Sequence, residues 1–506
     1  MAKLLSFDFG TGGVRAGVYC TDNRAMVSSA EATYDTVFPH TGWAEQDSRK
    51  WLHSMVSAGR RAVSAAGTGR IDAICVATTA STVAFCTRDG KPVRPAILWM
   101  DCRASEEAAA TAEVDHPVMA YCGGEDAVEW LVPKAMWTAR HQPDVYAESD
   151  VICEALDFIN FHLTGQWVGS RMNAACKWNY DSLNETFVPA IYDQLGIGDL
   201  ADKLPQRIVP VGGVIGDAAG PLLAEMGIEN TPVVAQGGID AHIGILSANT
   251  VRPGGVLVIG GTSTVHLTQL ADAGDVSGFW GPYPNALTDG DWLVEAGQVS
   301  SGSILSWLSN DIFGLDAGQH QALIADVAER PGRANGLLAL DYWMGNRTPY
   351  RDPDLRGAIM GLSLGHSRAD IYAAAIDSIA LGTANVLSVL GQRGVEIERF
   401  VMAGGICRNA AWLQATVDAI GRPVAVAMEE NLSLVGAAVC SATALGMWPD
   451  LASVSADIGV ATKDMQPNEE RSRWYQDSLS LYQDATQVLT PLLHTLAKRQ
   501  QTEAMS

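Results

Sequence analysis

Two glycine-rich bends limit most strongly how this chain can fold. Residues 4–9 (LLSFDF) and 14–19 (VRAGVY) are apolar runs joined by Gly10-Thr11-Gly12-Gly13. Near mid-chain, residues 256–259 (VLVI) run into Gly260-Gly261-Thr262-Ser263, and Val265 and Leu267 alternate beyond. Each unit reads as a strand, a tight turn in which glycine permits positive φ, and a second strand. Identity between the units is too low for a sequence repeat. Their matching places nevertheless predict two similar halves that each lend a hairpin to one cleft. Such a turn bares backbone N–H groups and threonine adds a hydroxyl, which together can cradle a polyphosphate. A pair of ordinary hairpins would look the same, so neighbouring residues must decide.

Charge narrows the choice. There are 34 Lys and Arg against 57 Asp and Glu, a net −23. A surface this acidic excludes a sequence-independent nucleic-acid binder and repels anions at long range. Any phosphate must be held by local N–H groups, a metal and a few placed cations. No G-x-x-x-x-G-K-[ST] segment occurs, and no G-x-G-x-x-G opens a helix after the first strand, which disfavours P-loop and dinucleotide-binding folds. The chain has 506 residues, 47% apolar and 18% charged. That is enough for a sizeable core in two large domains or about three smaller ones. Nine scattered cysteines without a C-x-x-C pair suit a reducing compartment and buried roles. Strand-like sequence begins almost at Met1, which argues against a leader, so the expectation is a cytoplasmic protein. The uncharged stretch 431–449 reads as a buried helix packed through Ala and Gly, not a membrane span.

Along the chain, Trp51, Met55, Val56 and Val63 mark a helix face, and strands are predicted at 26–30, 74–77, 83–86, 233–235 and 400–403. Residues 102–165 read as mainly helical. Further helices are predicted over 367–390, 409–421, 433–446 and 469–500. The halves divide near 247–253, giving domains 1–247 and 248–492, with 493–506 as a C-terminal tail whose last few residues fray.

Several residues carry candidate chemistry. Asp8, at the end of the first strand, can hold Mg²⁺ through water. Asp240 follows a strand and two glycines in QGGIDAH (236–242). It is either a helix cap or a base that accepts the proton of an attacking hydroxyl; His242 reads as structural. Gly404 and Gly405 leave room for a flat ring, and Asn409 offers an amide or caps a helix. Lys177 in CKWNY, Glu295 in WLVEAGQ, and Asp101 with Arg103 are expensive to bury unpaired. They form internal ion pairs or meet a polyhydroxylated ligand.

Together these segments resemble the FGGY carbohydrate kinases over almost the whole length. The resemblance rests on FDFGTGGVRAGVY, HTGWAEQD (40–47), RPAILWMDCRA, WLVPKAMW, QGGIDAH, GGTST, WLVEAGQVSSGSILSW, GNRTPYRDPDLRGAIMGLSLGH, the turn at 404–405 and LVGAA, in that order. It implies an α/β chain of two ribonuclease-H-like domains, the actin-like ATPase architecture, with ATP and a sugar in the interdomain cleft. It also implies Asp240 as catalytic base and Asp8 as the Mg²⁺-associated carboxylate. Gly10, Thr11, Gly12 and Arg15 would form the first phosphate loop, and Gly261 and Thr262 the second. Gly302 would lie near the phosphates, and Gly404, Gly405 and Asn409 beside the adenosine. Glu45, Lys177 and Glu295, with Asp240, would meet the sugar.

The implied activity is ATP-dependent phosphorylation of a small ketose, a pentulose of ribulose or xylulose type. The alternatives are a kinase of a tetritol, glycerol or other polyol, and a non-catalytic sugar-sensing ATP binder. The xylulokinase Met-His-Gly is absent near residue 77, and CKWNY, EAGQ and GTGGVRAG lie closer to the ribulokinases. That branch's Asp-Ala-Thr-Cys-Ser is absent at 78–82, so the sugar is left unassigned. No nucleic-acid or membrane partner is expected; an exposed apolar helix would allow a homodimer.

Overall fold

A computed structural model of the chain describes residues 2–330 and 334–505. Two mixed sheets organise it. The first is hydrogen-bonded in the order Val214–Asp217, Val233–Ala235, Ala73–Thr78, Lys3–Gly10, Gly13–Cys20, Ala25–Thr33. The second runs Thr462–Met465, Val424–Ala427, Arg399–Gly404, Gly255–Gly260, Thr264–Leu270, Trp292–Gln298, Trp280–Pro284. The sheets match strand for strand at their centres. In each, the opening strand pairs antiparallel with its hairpin partner and parallel with a strand from much later in the sequence. This is the two-lobed actin-like ATPase architecture.

The hairpins form where the sequence places them, but not by positive φ. None of Gly10, Gly12, Gly13 and Gly261 is left-handed. Gly13 is needed for space instead, because a Cβ there would sit 2.6 Å from the Ala32 carbonyl oxygen of the next strand. Outside the first sheet packs the helix Ser48–Ala65, started by Asp47 and burying Trp51, Met55, Val56 and Val63. Region 102–165 is mostly helical as expected, but it also holds the strand Val151–Glu154, which joins a small four-stranded sheet.

Helix Arg368–Gln392 is long and apolar enough to cross a membrane by length and composition. It is mostly buried within the second half's core. Helix Leu432–Ala444 is buried too, as its small residues predict, but its packing joins the halves. Gly436 sits where a Cβ would lie 2.3 Å from the Ile243 carbonyl oxygen, so this helix crosses helix Asp240–Ser247 backbone to backbone. A single apolar cluster runs from Leu4 and Ala73 through Ile243 to Leu257 and Ala438. The two sheets therefore close on a shared core, and residues 248–254 link them. The expected terminal helix forms and runs a little further than predicted, over Glu469–Met505, with Leu493 and Ala497 buried.

Candidate active site

The carboxyl ends of the parallel strands meet between the lobes, where open α/β sheets collect their ligands. Asp240 stands there because of two glycines. Gly237 passes so near the strand Ala73–Thr78 that a Cβ would lie 1.9 Å from the Val76 carbonyl oxygen. Ile239 then bridges to Thr78 and takes the helix-cap position. Asp240 is thus the first helical residue, not the cap. Its Oδ1 accepts from the Ala241 N–H at 2.7 Å. Burial, and next the charge of Asp8, push its carboxyl up to about 7. Asp8 is pushed up to about 6 by burial, against the pull of Arg15, whose Nη1 is 3.3 Å away. The Asp8 Oδ1 is buried and has no hydrogen-bond partner among the described residues.

Asp240 opens onto a cavity of about 250 Å³ lined from both halves. Ile239, Ala241, His242, Thr79, Ala80, Trp99, Glu129, Trp130 and Lys177 come from the first. Ser263, Thr264, Val265, Trp280, Glu295, Gly297 and Arg347 come from the second. Lys177 and Glu295, far apart in sequence, meet here at 3.3 Å, and the His242 Nε2 lies 3.4 Å from the same carboxylate. Burial opposes the charge on Glu295, but Lys177, His242 and Arg347 outweigh it and hold this carboxyl well below the usual range. The Lys177 ammonium faces the rings of Trp130 and Tyr283 at 4.6 and 5.6 Å. Polar groups of both signs between aromatic walls can bind a polyol.

The first hairpin reaches this cavity through one intermediary. The Thr11 hydroxyl accepts from the Trp99 indole N–H at 2.9 Å, and Gly10 and Thr11 share a small adjoining recess with Thr79 and Trp99. The second hairpin reaches it directly through Ser263 and Thr264. On its other side the Gly302 N–H is spent on the Gly261 carbonyl at 3.0 Å, and the Thr262 carbonyl accepts from Ser301 and Ser303. Gly404 has φ 87° and lies against Gly260, where a Cβ would come within 2.7 Å of the carbonyl oxygen. Gly405 follows it. Asn409 is a helix cap, its Oδ1 accepting from the Trp412 N–H at 3.0 Å while its Nδ2 donates to the Tyr372 hydroxyl at 3.3 Å. Gly302, Gly404, Gly405 and Asn409 lie outside the cavity lining, on the far side of the second hairpin.

One expected sugar residue is not in the cavity. Glu45 is held by Arg94 and by the Arg103 Nη1 at 2.8 Å. Arg103 is also gripped by Asp101 through two hydrogen bonds and lies 3.9 Å from the Trp43 ring. Glu45, Asp101 and Arg103 are therefore an internal cluster, with both arginines on the Glu45 Oε1. Conversely, sequence reasoning passed over Glu129, Trp130, Trp280 and Arg347. Trp130 and Arg347 lay in segments singled out for resemblance, and nothing local marked Glu129 or Trp280.

Two matched sheets closing on a cleft, with glycine bends and a carboxylate at the seam, place the protein in the class of two-lobed, actin-like ATPase folds. Comparison with known proteins then fixes the family. Residues 3–247 match the N-terminal domain and residues 256–445 the C-terminal domain of the FGGY family of carbohydrate kinases. A ribulokinase from Mycolicibacterium smegmatis is 30% identical, covering 91% of this chain and 89% of its own length. A human FGGY carbohydrate kinase domain-containing protein is 26% identical over 94% of both chains. The crystal structure of a xylulose kinase from Rhodospirillum rubrum superposes with a TM-score of 0.86 at 26% identity, covering 97% of this chain and 100% of that one. The chain belongs to the FGGY family of carbohydrate kinases, and it is a sugar kinase, a phosphotransferase acting on an alcohol group.

Proposed function

We propose that the protein transfers the γ-phosphate of ATP to a hydroxyl of a pentulose, with Asp240 as the base that takes the hydroxyl proton. The supporting observation is the place of Asp240. It stands between the lobes, in the lining of a cavity that the Lys177–Glu295 pair also lines. A hydroxyl beside Asp240 is oriented by that carboxylate, while Lys177 and Glu295 donate to and accept from the remaining hydroxyls. In phosphoryl transfer the protein contributes mainly position and charge neutralisation, and proton removal comes late. Ribulokinase and xylulose kinase relatives support a five-carbon ketose.

On the other side of the second hairpin we assign the nucleotide. Gly261, Thr262 and Gly302 border its phosphates, Gly10, Thr11, Gly12 and Arg15 close over them, and Gly404, Gly405 and Asn409 border the adenosine. The residues at the seam fit Mg²⁺. Asp8 has an unpartnered buried oxygen, and its charge raises the cost of ionising Asp240. Among the described residues no cluster of three or more metal-binding side chains exists, which suits a cation that keeps most of its waters and takes one or two carboxylates. When bound, Mg²⁺ offsets the charge on the phosphates. All nine cysteines are free thiols, which supports work in the reducing cytoplasm.

An ADP-release assay with MgATP against ketopentoses, tetruloses, tetritols and glycerol tests the reading. Turnover is expected with a ketopentose. Preference for glycerol or a tetritol would move the acceptor to another polyol, and sugar binding without ADP release would make the protein a sensor. The nucleotide assignment predicts that Gly302→Val, which forces a side chain against the Gly261 carbonyl 2.4 Å from its Cβ, raises KM for ATP by about tenfold or more, about 1.4 kcal/mol. Sugar affinity measured by calorimetry without nucleotide should stay at the wild-type value. A variant with the opposite pattern would contradict the assignment.

A further inference from the structure

The proposed acceptor cavity has two cations, and both are already matched. Lys177 is paired with Glu295 at 3.3 Å. Arg347 donates from Nη2 to the Glu129 Oε1 at 3.1 Å, and its guanidinium lies 4.7 Å from the Trp280 ring centroid. Its stem runs beside Gly297, where a Cβ would come within 3.1 Å of the Arg347 Cδ. Glu129 belongs to the first half, just ahead of helix Leu131–His141. Arg347 belongs to the second, between the strands Leu338–Leu340 and Ala358–Met360. Their pair therefore exists only across the cleft. With Asp240 added, the lining holds three carboxylates and two fixed cations. A neutral polyol meets ready-made donors and acceptors. An acceptor with its own carboxylate or phosphate brings a further negative charge into about 250 Å³ whose two cations each already face a carboxylate.

We propose that Glu129 is a specificity-determining residue: by holding Arg347 across the cleft it restricts the acceptor to uncharged ketoses and polyols and excludes sugar acids. This rests on the reading of the cavity as the acceptor site. Specificity here comes from a weakened attraction, since the charge of the guanidinium that would welcome a carboxylate is already matched by Glu129.

The test is Glu129→Gln, which keeps the shape of the side chain and an acceptor for Arg347 while freeing its charge. Wild type, Glu129→Gln and the double variant Glu129→Gln/Arg347→Gln are assayed with MgATP on an uncharged ketopentose and on a five-carbon aldonate. In Glu129→Gln the ratio of kcat/KM for the aldonate over the ketopentose is expected to rise roughly ten- to a hundredfold, the worth of one hydrogen bond to a charged group. In the double variant the gain should disappear. Circular dichroism and thermal melts verify that each variant is folded. The proposal is overturned, with the sugar-kinase reading intact, by normal ketopentose turnover and a ratio that moves less than about threefold. The same holds if the wild type already uses the aldonate as readily, or if the gain persists without Arg347. A wild type that phosphorylates no ketopentose overturns the acceptor reading and the exclusion with it.

Discussion

Asp240→Asn is expected to lower kcat by about two to four orders of magnitude, the usual size of general-base help, while leaving sugar affinity nearly unchanged. The amide keeps the size of the carboxylate and can still accept from the Ala241 N–H, but it cannot take a proton. The same substitution should affect stability in a pH-dependent way. Burial and the neighbouring Asp8 raise the Asp240 carboxyl to about 7, above its value of about 3.9 in an unfolded chain. Between those values the folded state binds more protons than the unfolded one, so this group erodes stability as pH rises. Asp240→Asn removes that cost. Thermal melts should therefore show the variant more stable than wild type at pH 8, with the difference vanishing below about pH 4. A nearly inactive enzyme with a higher melting point at neutral pH is the expected signature of a carboxylate kept for its chemistry. Undiminished turnover would remove Asp240 from the reaction; an equal melting point at both pH values would show that its carboxyl is not strained.

The legible parts of this molecule are those written over short stretches of chain. Both hairpins could be read because a turn needs only its own four residues, and Asp240 because strand, two glycines and acid are contiguous. Lys177 and Glu295 stood out because an ionisable group between Trp and apolar neighbours must find a partner. Their partnership with each other, across halves, was not visible. Glu45 is the reverse case. The resemblance of HTGWAEQD puts it at the sugar, and only the fold shows Arg94 and Arg103 closing on it. Glu129 and Arg347 were passed over because an exposed-looking Glu and Arg carry no local signal; their meaning comes from facing each other over a cleft. Helix Leu432–Ala444 is a like case. Its small residues announced close packing, but not that the neighbour would be helix Asp240–Ser247 of the other half.

Lys134→Met is expected to cost about 2–5 kcal/mol of stability and to weaken sugar binding without touching the nucleotide, since two buried carbonyls would each lose a donor. Lys134 is fully buried in the helix Leu131–His141. Its ammonium donates to the carbonyls of Ser81 and Leu98, both at 2.7 Å. Those two carbonyls belong to separate segments that carry cavity residues next in sequence, Ala80 on one and Trp99 on the other. The lysine thus fastens one side of the cavity from behind without entering it. Burial lowers its pKa to about 7, against the opposing pull of Asp101, Glu129 and Glu154, but neutral or charged the amine still has at least two N–H bonds to give. Methionine matches the stem in volume and donates nothing, so packing survives while the fastening is lost. Urea unfolding should show the stability loss, and KM for the sugar should rise about tenfold, a difference of about 1.4 kcal/mol, at an unaltered KM for ATP. Because Trp99 also donates to Thr11, a joint rise in both constants would mean that the fastening reaches the first hairpin as well. A variant within about 0.5 kcal/mol of wild type, inside the range of surface substitutions, would show that the two segments hold their places without the lysine.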